Sequence, residues 1–331
     1  MNHRLYLLLP VFVLTGCNAH ACSPAKPSAD PLEIERFDRK LFEYITASED
    51  TARLRQTLLR DYPNMLDLTG KGILNLRSID SPGFFEKLKA YYSNTHLIAL
   101  YKDALSRFAE VDEIERQLGR GFSFLKECFP EMKAPRVYMH VSGLNQNVLT
   151  GENTLSLSID KYLGYDYPLY EDFFYPYQRI KMQPEYVAQD YLAGWLMSEF
   201  LFTGKDNVLL ERMLHAGKIK YLLHGAFPDL SPAQLMGYTE EEYRFVEEHE
   251  AAIWQTIIER KHLYTPDLTT SNQYFEEKPS PFFSDGAPGN IGAFIGWQII
   301  ERYVKETSCR PAGLMRAGDA QEILSLSRYR P

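Results

Sequence analysis

Histidine is scarce in this chain, eight in 331 residues, and no two stand four apart with a glutamate between them. Zinc hydrolysis on a helix commonly needs that spacing, because imidazoles at i and i+4 point the same way and the glutamate activates bound water. Without it, no metal ligand and no metal cofactor is readable. There is no Gly-x-Ser-x-Gly elbow for a serine nucleophile. Gly286, Gly289, Gly292 and Gly296 lack the following Lys-Ser/Thr of a phosphate loop. Basic residues are not in excess: 36 against 44 acidic ones leave −8, which argues against nucleic acid as a partner. The four cysteines form no framework. Cys128 and Cys309 could form one bridge or remain two separate thiols. No internal repeat or low-complexity tract breaks the chain, and no linker follows residue 30.

Long hydrophobic runs are also missing. The apolar stretch at residues 5–14, preceded by Arg4, is too short to span a bilayer but fits the core of a signal peptide. It ends in Leu14-Thr15-Gly16-Cys17, the pattern of a bacterial lipobox, where small residues admit the backbone to the peptidase cleft ahead of a diacylated cysteine. Cys17 is therefore the expected lipidation site. Residues 1–16 are read as the signal peptide, and residues 17–31, small, polar and proline-bearing, as a flexible tether. Residues 32–331 are read as a single α-rich domain. Acyl chains would hold it at a membrane outside the cytoplasm. Asn18-Ala19 carries no acidic cluster of the kind that can direct lipoproteins to the cell surface, which favours the periplasmic face.

Within the domain, alternation predicts strands at residues 136–141 and 154–160, and an extended lead-in at residues 32–38. Helix-start signals stand at Ser48, Ser81-Pro82, Asn94, Pro184, Ser231-Pro232 and Thr239, the last with Glu242 as a capping box. A long helical pattern from Asn94 to about Phe129 carries Gly119-Arg120-Gly121, where a break is expected. The expected fold is mainly α with a small antiparallel β-sheet, an α+β class.

No catalytic residue can be assigned. Asp190 and Glu199 are nine apart, half a turn round the helix at residues 184–202, so they face apart. His215 reads as a surface histidine near Glu211 at i−4. Gly292 and Gly296 suit close packing of another element against their helix; Gly289-Asn290 is the alternative, as amides offered to an anion. The strongest surface signal is aromatic: Tyr162, Tyr165, Tyr167, Tyr170, Tyr175 and Tyr177 crowd sixteen residues. Rigid amphipathic rings suit an interface or a sugar-stacking platform, and equally suit an irregular segment that anchors itself. Tyr165, Tyr167, Tyr170 and Asn290 are the candidate partner-binding residues.

Several motifs in order resemble the gliding-motility lipoprotein GldB family. They include Ile34-Glu35-Arg36-Phe37-Asp38, Tyr162-Leu163-Gly164-Tyr165-Asp166-Tyr167-Pro168 and Met182-Gln183-Pro184-Glu185-Tyr186-Val187 with Asp190. Met213-Leu214-His215-Ala216-Gly217-Lys218, Pro288-Gly289-Asn290-Ile291-Gly292, Ile295-Gly296-Trp297-Gln298-Ile299 and Ser327-Arg328-Tyr329-Arg330-Pro331 complete the set. The resemblance implies an envelope lipoprotein associated with gliding and type IX secretion, with envelope proteins of such an assembly as partners. It brings no catalytic residues. The family is also similar to zincin metallopeptidases, which implies a degenerate zincin-like architecture of a strand and two facing helices, with Ala216 where a glutamate ligand would stand. The expected function is a non-catalytic scaffold without a cofactor. The alternatives are an envelope hydrolase with an unrecognised site and a glycan- or peptidoglycan-binding lipoprotein.

Overall fold

The computed structural model describes residues 30–331 except 207, 284 and 285. The signal peptide, Cys17 and nearly all of the tether lie outside the described residues. From Asp30 onward the chain is held against one helix, α1 (Asp112–Cys128). The Leu32 N–H donates to the Glu115 carbonyl at 3.0 Å and the Ile34 N–H to Glu115 Oε1 at 2.8 Å. Gly119 lets the Asp30 backbone lie directly on α1, since a Cβ there would overlap the Asp30 carbonyl. Gly121 similarly admits Leu192 and Phe227. The expected break at these glycines is therefore absent. They make room for neighbours in a continuous helix, and the interruption comes earlier, after the helix Thr95–Arg107.

Four strands follow the order β1-β2-β4-β3, with β1 at Ile34–Glu35, β2 at Arg136–His140, β3 at Val148–Gly151 and β4 at Thr154–Ser158. The sheet is mixed, not antiparallel as expected. β1 pairs parallel with β2, β2 pairs parallel with β4, and only the β3–β4 hairpin is antiparallel. Strand β3 is not among the strands that the alternation predicts. Its two-residue turn uses Asn153 at φ 50°, a left-handed position that asparagine tolerates. β4 then inserts between β2 and β3, which forces a parallel partner on it. In register, Val137 and Met139 of β2 share a face with Leu155 and Leu157 of β4, while Tyr138 and His140 share the other with Ser156 and Ser158. β4 is buried throughout, as in sheets covered on both faces.

Helix α2 (Val187–Glu199) packs on this sheet, and the Tyr191 hydroxyl donates to the Tyr138 carbonyl at 2.5 Å. The one-turn 3-10 segment Pro184–Tyr186 precedes it. Helices α3 (Leu209–Ala226) and α4 (Ile291–Thr307) form the deepest pair. Their axes approach so closely that a Cβ at Gly217 would overlap the Gly296 carbonyl, and one at Gly296 the Met213 carbonyl. The expected close packing at Gly296 is thus met. Gly292 also sits tightly, beside Phe275 and the Tyr274 carbonyl. The capping box at Thr239 forms as read, and Ser231 also closes one with Gln234. Cys309 keeps a free thiol, so no bridge joins it to Cys128.

Candidate functional site

The tyrosine-rich segment is organised from below by Asp160, which is fully buried at the end of β4. Its carboxylate accepts the Ser142 N–H at 3.0 Å and the Leu144 N–H at 2.6 Å. The Ser158 hydroxyl also donates to it. One side chain thereby ties the β2–β3 loop to the segment that follows β4, satisfying backbone groups that burial would otherwise strand.

Above it the tyrosines divide by role. Tyr170 is 0% exposed; its hydroxyl donates to the Asp160 carbonyl at 2.6 Å and accepts the Leu163 N–H at 3.0 Å. Tyr170 is therefore an anchor beneath the surface, which corrects its reading as a partner-binding residue. An irregular segment with unpaired backbone groups needs such an internal donor and acceptor. Tyr162 is also buried, and its hydroxyl donates to Asp190 Oδ2 at 2.7 Å. Tyr167 is half-buried and donates to Asp103 Oδ2 at 2.7 Å, fastening the segment to the helix Thr95–Arg107. Burial, then the hydrogen bond to Asp103 and its charge, pushes the Tyr167 hydroxyl well above the ordinary phenol range.

Tyr165 and Tyr177 open onto solvent. With Tyr186 and Tyr238 they line a shallow groove of about 700 Å³, with Ile180 at its side and Glu240 at its rim. The Arg179 guanidinium lies 4.8 Å from the Tyr165 ring centre and pairs with Glu171 at 3.4 Å. Its Nε is buried without a partner. Tyr175 and Tyr177 stack with centroids 5.5 Å apart at an interplanar angle of 9°, and Tyr175 is 66% exposed. Burial, then the charge of Glu185, pushes Tyr186 up to about 12, so every phenol of the groove that shifts stays protonated at neutral pH. Glu242 is occupied by the helix cap, accepting the Thr239 N–H at 2.8 Å.

Asn290 does not reach this surface. It stands at φ 54° before α4, and its N–H donates to the Glu276 carbonyl at 2.7 Å. The Gly292 N–H is likewise taken by the Tyr274 carbonyl at 2.8 Å. These amides are spent on protein carbonyls, so they offer no anion site. Asn290 touches the groove only at one remove: the Tyr238 hydroxyl donates to the neighbouring Gly289 carbonyl at 2.7 Å.

Two clusters of perturbed groups lie away from the groove. Asp190, raised by burial against the opposing Tyr162 hydrogen bond, stands near Lys220, which burial pushes down to about 8 against the opposing charge of Asp190. The Lys220 amine donates to the Leu235 carbonyl at 2.5 Å. His140 is 1% exposed, with Nδ1 2.8 Å from Ser156 Oγ and Nε2 unpartnered. Burial pushes it down to about 3. Neither set belongs to the lining of the tyrosine groove. His215 is half-buried with its ring 5.3 Å from that of Phe202, rather than a solvated partner of Glu211. Glu211 instead accepts the Lys205 N–H at 2.7 Å. Among the described residues no three His, Cys, Asp or Glu side chains are arranged to hold a metal ion.

Sequence reasoning found Tyr165 and the aromatic density but missed Tyr186, Tyr238 and Arg179 as parts of one groove. Tyr238 arrives from a helix start some 60 residues downstream (238 against 177), and no local signal links the two. A family described as gliding motility protein GldB matches residues 23–331. No curated protein and no solved structure matches the chain, which leaves the zincin-like part of the expected architecture without support.

Proposed function

The chain belongs to the gliding motility protein GldB family, and from that premise we propose a lipid-anchored envelope scaffold that docks partners through its tyrosine groove. The observation carrying this reading is the groove itself: an open aromatic concavity with a partly buried arginine and no nucleophile–base pair. Tyrosine and arginine supply large rigid contact area at small entropic cost, the usual material of interface anchors. Cys17 would provide the tether, at the periplasmic face of a membrane. No helix among the described residues is long and apolar enough to cross a membrane, and this reading requires none. The partners are envelope proteins of a motility or secretion-related assembly.

Two experiments test the two halves. Cys17→Ala should appear in the soluble fraction or keep its unprocessed mass; membrane-bound protein of mature mass would exclude lipidation there. A photo-crosslinker at Tyr177 in living cells should capture a reproducible envelope protein, and Tyr165→Ala should weaken the capture. Equal capture from a crosslinker at Lys305, an exposed residue outside the groove lining, would remove the groove from the interaction. A second reading, glycan binding, rests on the stacked Tyr175–Tyr177 pair, since parallel rings offer a face to a sugar. Retention of the wild-type protein, but not a Tyr177→Ala variant, on peptidoglycan sacculi would favour it over the scaffold.

A further inference from the structure

The segment Met213–Lys218 is used on one side only by the Gly217 contact with α4. On the other side of α3, Leu214 and Lys218 stand four apart and so share a stripe. This stripe floors a cleft of about 550 Å³ between residues 199–204 and 315–323. Phe200, Phe202, Leu214 and Ile323 give it an apolar side within a lining that is otherwise largely polar.

Lys218 is only 8% exposed, and its ammonium donates to the Ala317 carbonyl at 2.5 Å. An ammonium has three donors, and among the described residues no carboxylate lies within ion-pair distance of it. A buried cation served by one neutral carbonyl is poorly compensated. His215, beside it on the same cleft, is held neutral by burial and then by the charge of Lys218, so it adds no second positive charge. Two glutamates and the exposed Arg316 are the other charged residues of the lining: Glu199 is exposed at the rim, and Glu211 is turned to the 203–206 segment through the Lys205 N–H.

A concave cleft that joins an apolar side to a few convergent polar groups is a common form of ligand site. Here the cation lies deep and the carboxylates lie towards the mouth. That order selects a ligand with a buried negative head, an apolar side group and N–H donors behind it. We propose that this cleft binds the C-terminal end of an apolar peptide, its carboxylate on Lys218, its last side chain among the aromatic walls and its amides towards the glutamates. A fatty acid would satisfy the cation and the walls but leave the glutamates facing methylene groups.

Calorimetric titration of the full-length protein in detergent tests this with a synthetic Ala-Ala-Phe-Leu peptide, its C-terminal amide and decanoate. The free acid should bind saturably, and the amide at least about tenfold more weakly, the loss of one charge-assisted hydrogen bond. Lys218→Met should abolish the difference between acid and amide. Equal affinity of wild type for acid and amide, or no saturable binding of the acid, overturns the proposal without reliance on any variant's folding. Decanoate binding more tightly than the acid peptide would overturn it in favour of a lipid.

Discussion

Acidification from pH 7 to 4 should destabilise the protein by about 3 kcal/mol through His140 alone, and an uncharged substitute should remove that loss. The sign follows from linkage. The folded-state value, lowered from 6.5 to about 3 by burial, lies below that of the unfolded chain. Between the two, unfolded molecules bind a proton that folded ones refuse, so stability falls as pH drops below about 6.5. At about 1.4 kcal/mol per pH unit, roughly two and a half units of that window lie above pH 4. The structural cause is plain. The ring is enclosed, Nδ1 meets Ser156 Oγ, and the Gln146 backbone offsets the cost of burying a second proton only in part. Urea denaturation at pH 7, 5 and 4 on wild type and His140→Gln would measure it, since glutamine keeps a polar group towards Ser156 but cannot titrate. The carboxylates titrate alike in both proteins, so the difference isolates the ring. Parallel losses in the two proteins would show that His140 is hydrated or protonated in the fold.

The second large effect belongs to the α3–α4 contact. Gly296→Ala should cost about 3 kcal/mol or more, despite the gain in helix propensity of about 1 kcal/mol that alanine normally brings. The added Cβ would overlap the Met213 carbonyl, which is backbone and cannot rotate away. Gly217→Ala should behave similarly, because its Cβ would meet the Gly296 carbonyl and the Trp297 amide. Gly318 provides the control: nothing lies within 4 Å of its missing Cβ, so Gly318→Ala should change stability by less than about 0.5 kcal/mol. Thermal denaturation of the three variants would decide it. If Gly296→Ala melts with wild type, the two helices are not in backbone contact. Because this contact backs the Lys218 cleft, Gly296→Ala and Gly217→Ala should also impair peptide binding, whereas Tyr165→Ala should leave it unchanged.

The tyrosine segment shows how far local pattern reaches. Density of rings identified it as special, yet the same six side chains serve as buried anchors, as ties to other helices and as groove walls. Which does which depends on Asp160, on Asp103 and on Asp190, residues 10, 64 and 28 positions from their tyrosine partners. Sequence spacing carries no trace of those pairings. The groove's second wall, with Tyr238, depends on where the capped helix Glu240–Glu248 comes to rest, although the cap itself was legible.

Local chemistry determined several helix starts, since a side chain that caps an amide three residues on acts within one turn: Asn94, Ser231 and Thr239 all do so, whereas the helices expected at Ser48 and Ser81-Pro82 begin later, at Thr51 and Phe84, without a side-chain cap. It also determined the strands at β2 and β4, the glycine contact on α4, and the family, whose motifs run along the whole domain. The tertiary structure alone decided what depends on neighbours brought from far away. β4 pairs in parallel with β2 because it inserts between β2 and β3. Gly119 and Gly121 seat other segments without breaking a helix. Tyr170 is hidden and Tyr177 is not. Lys218, one more charged residue in the sequence, became a buried ammonium only when the chain near Ala317 closed over it, for burial is a property of packing and has no local signature.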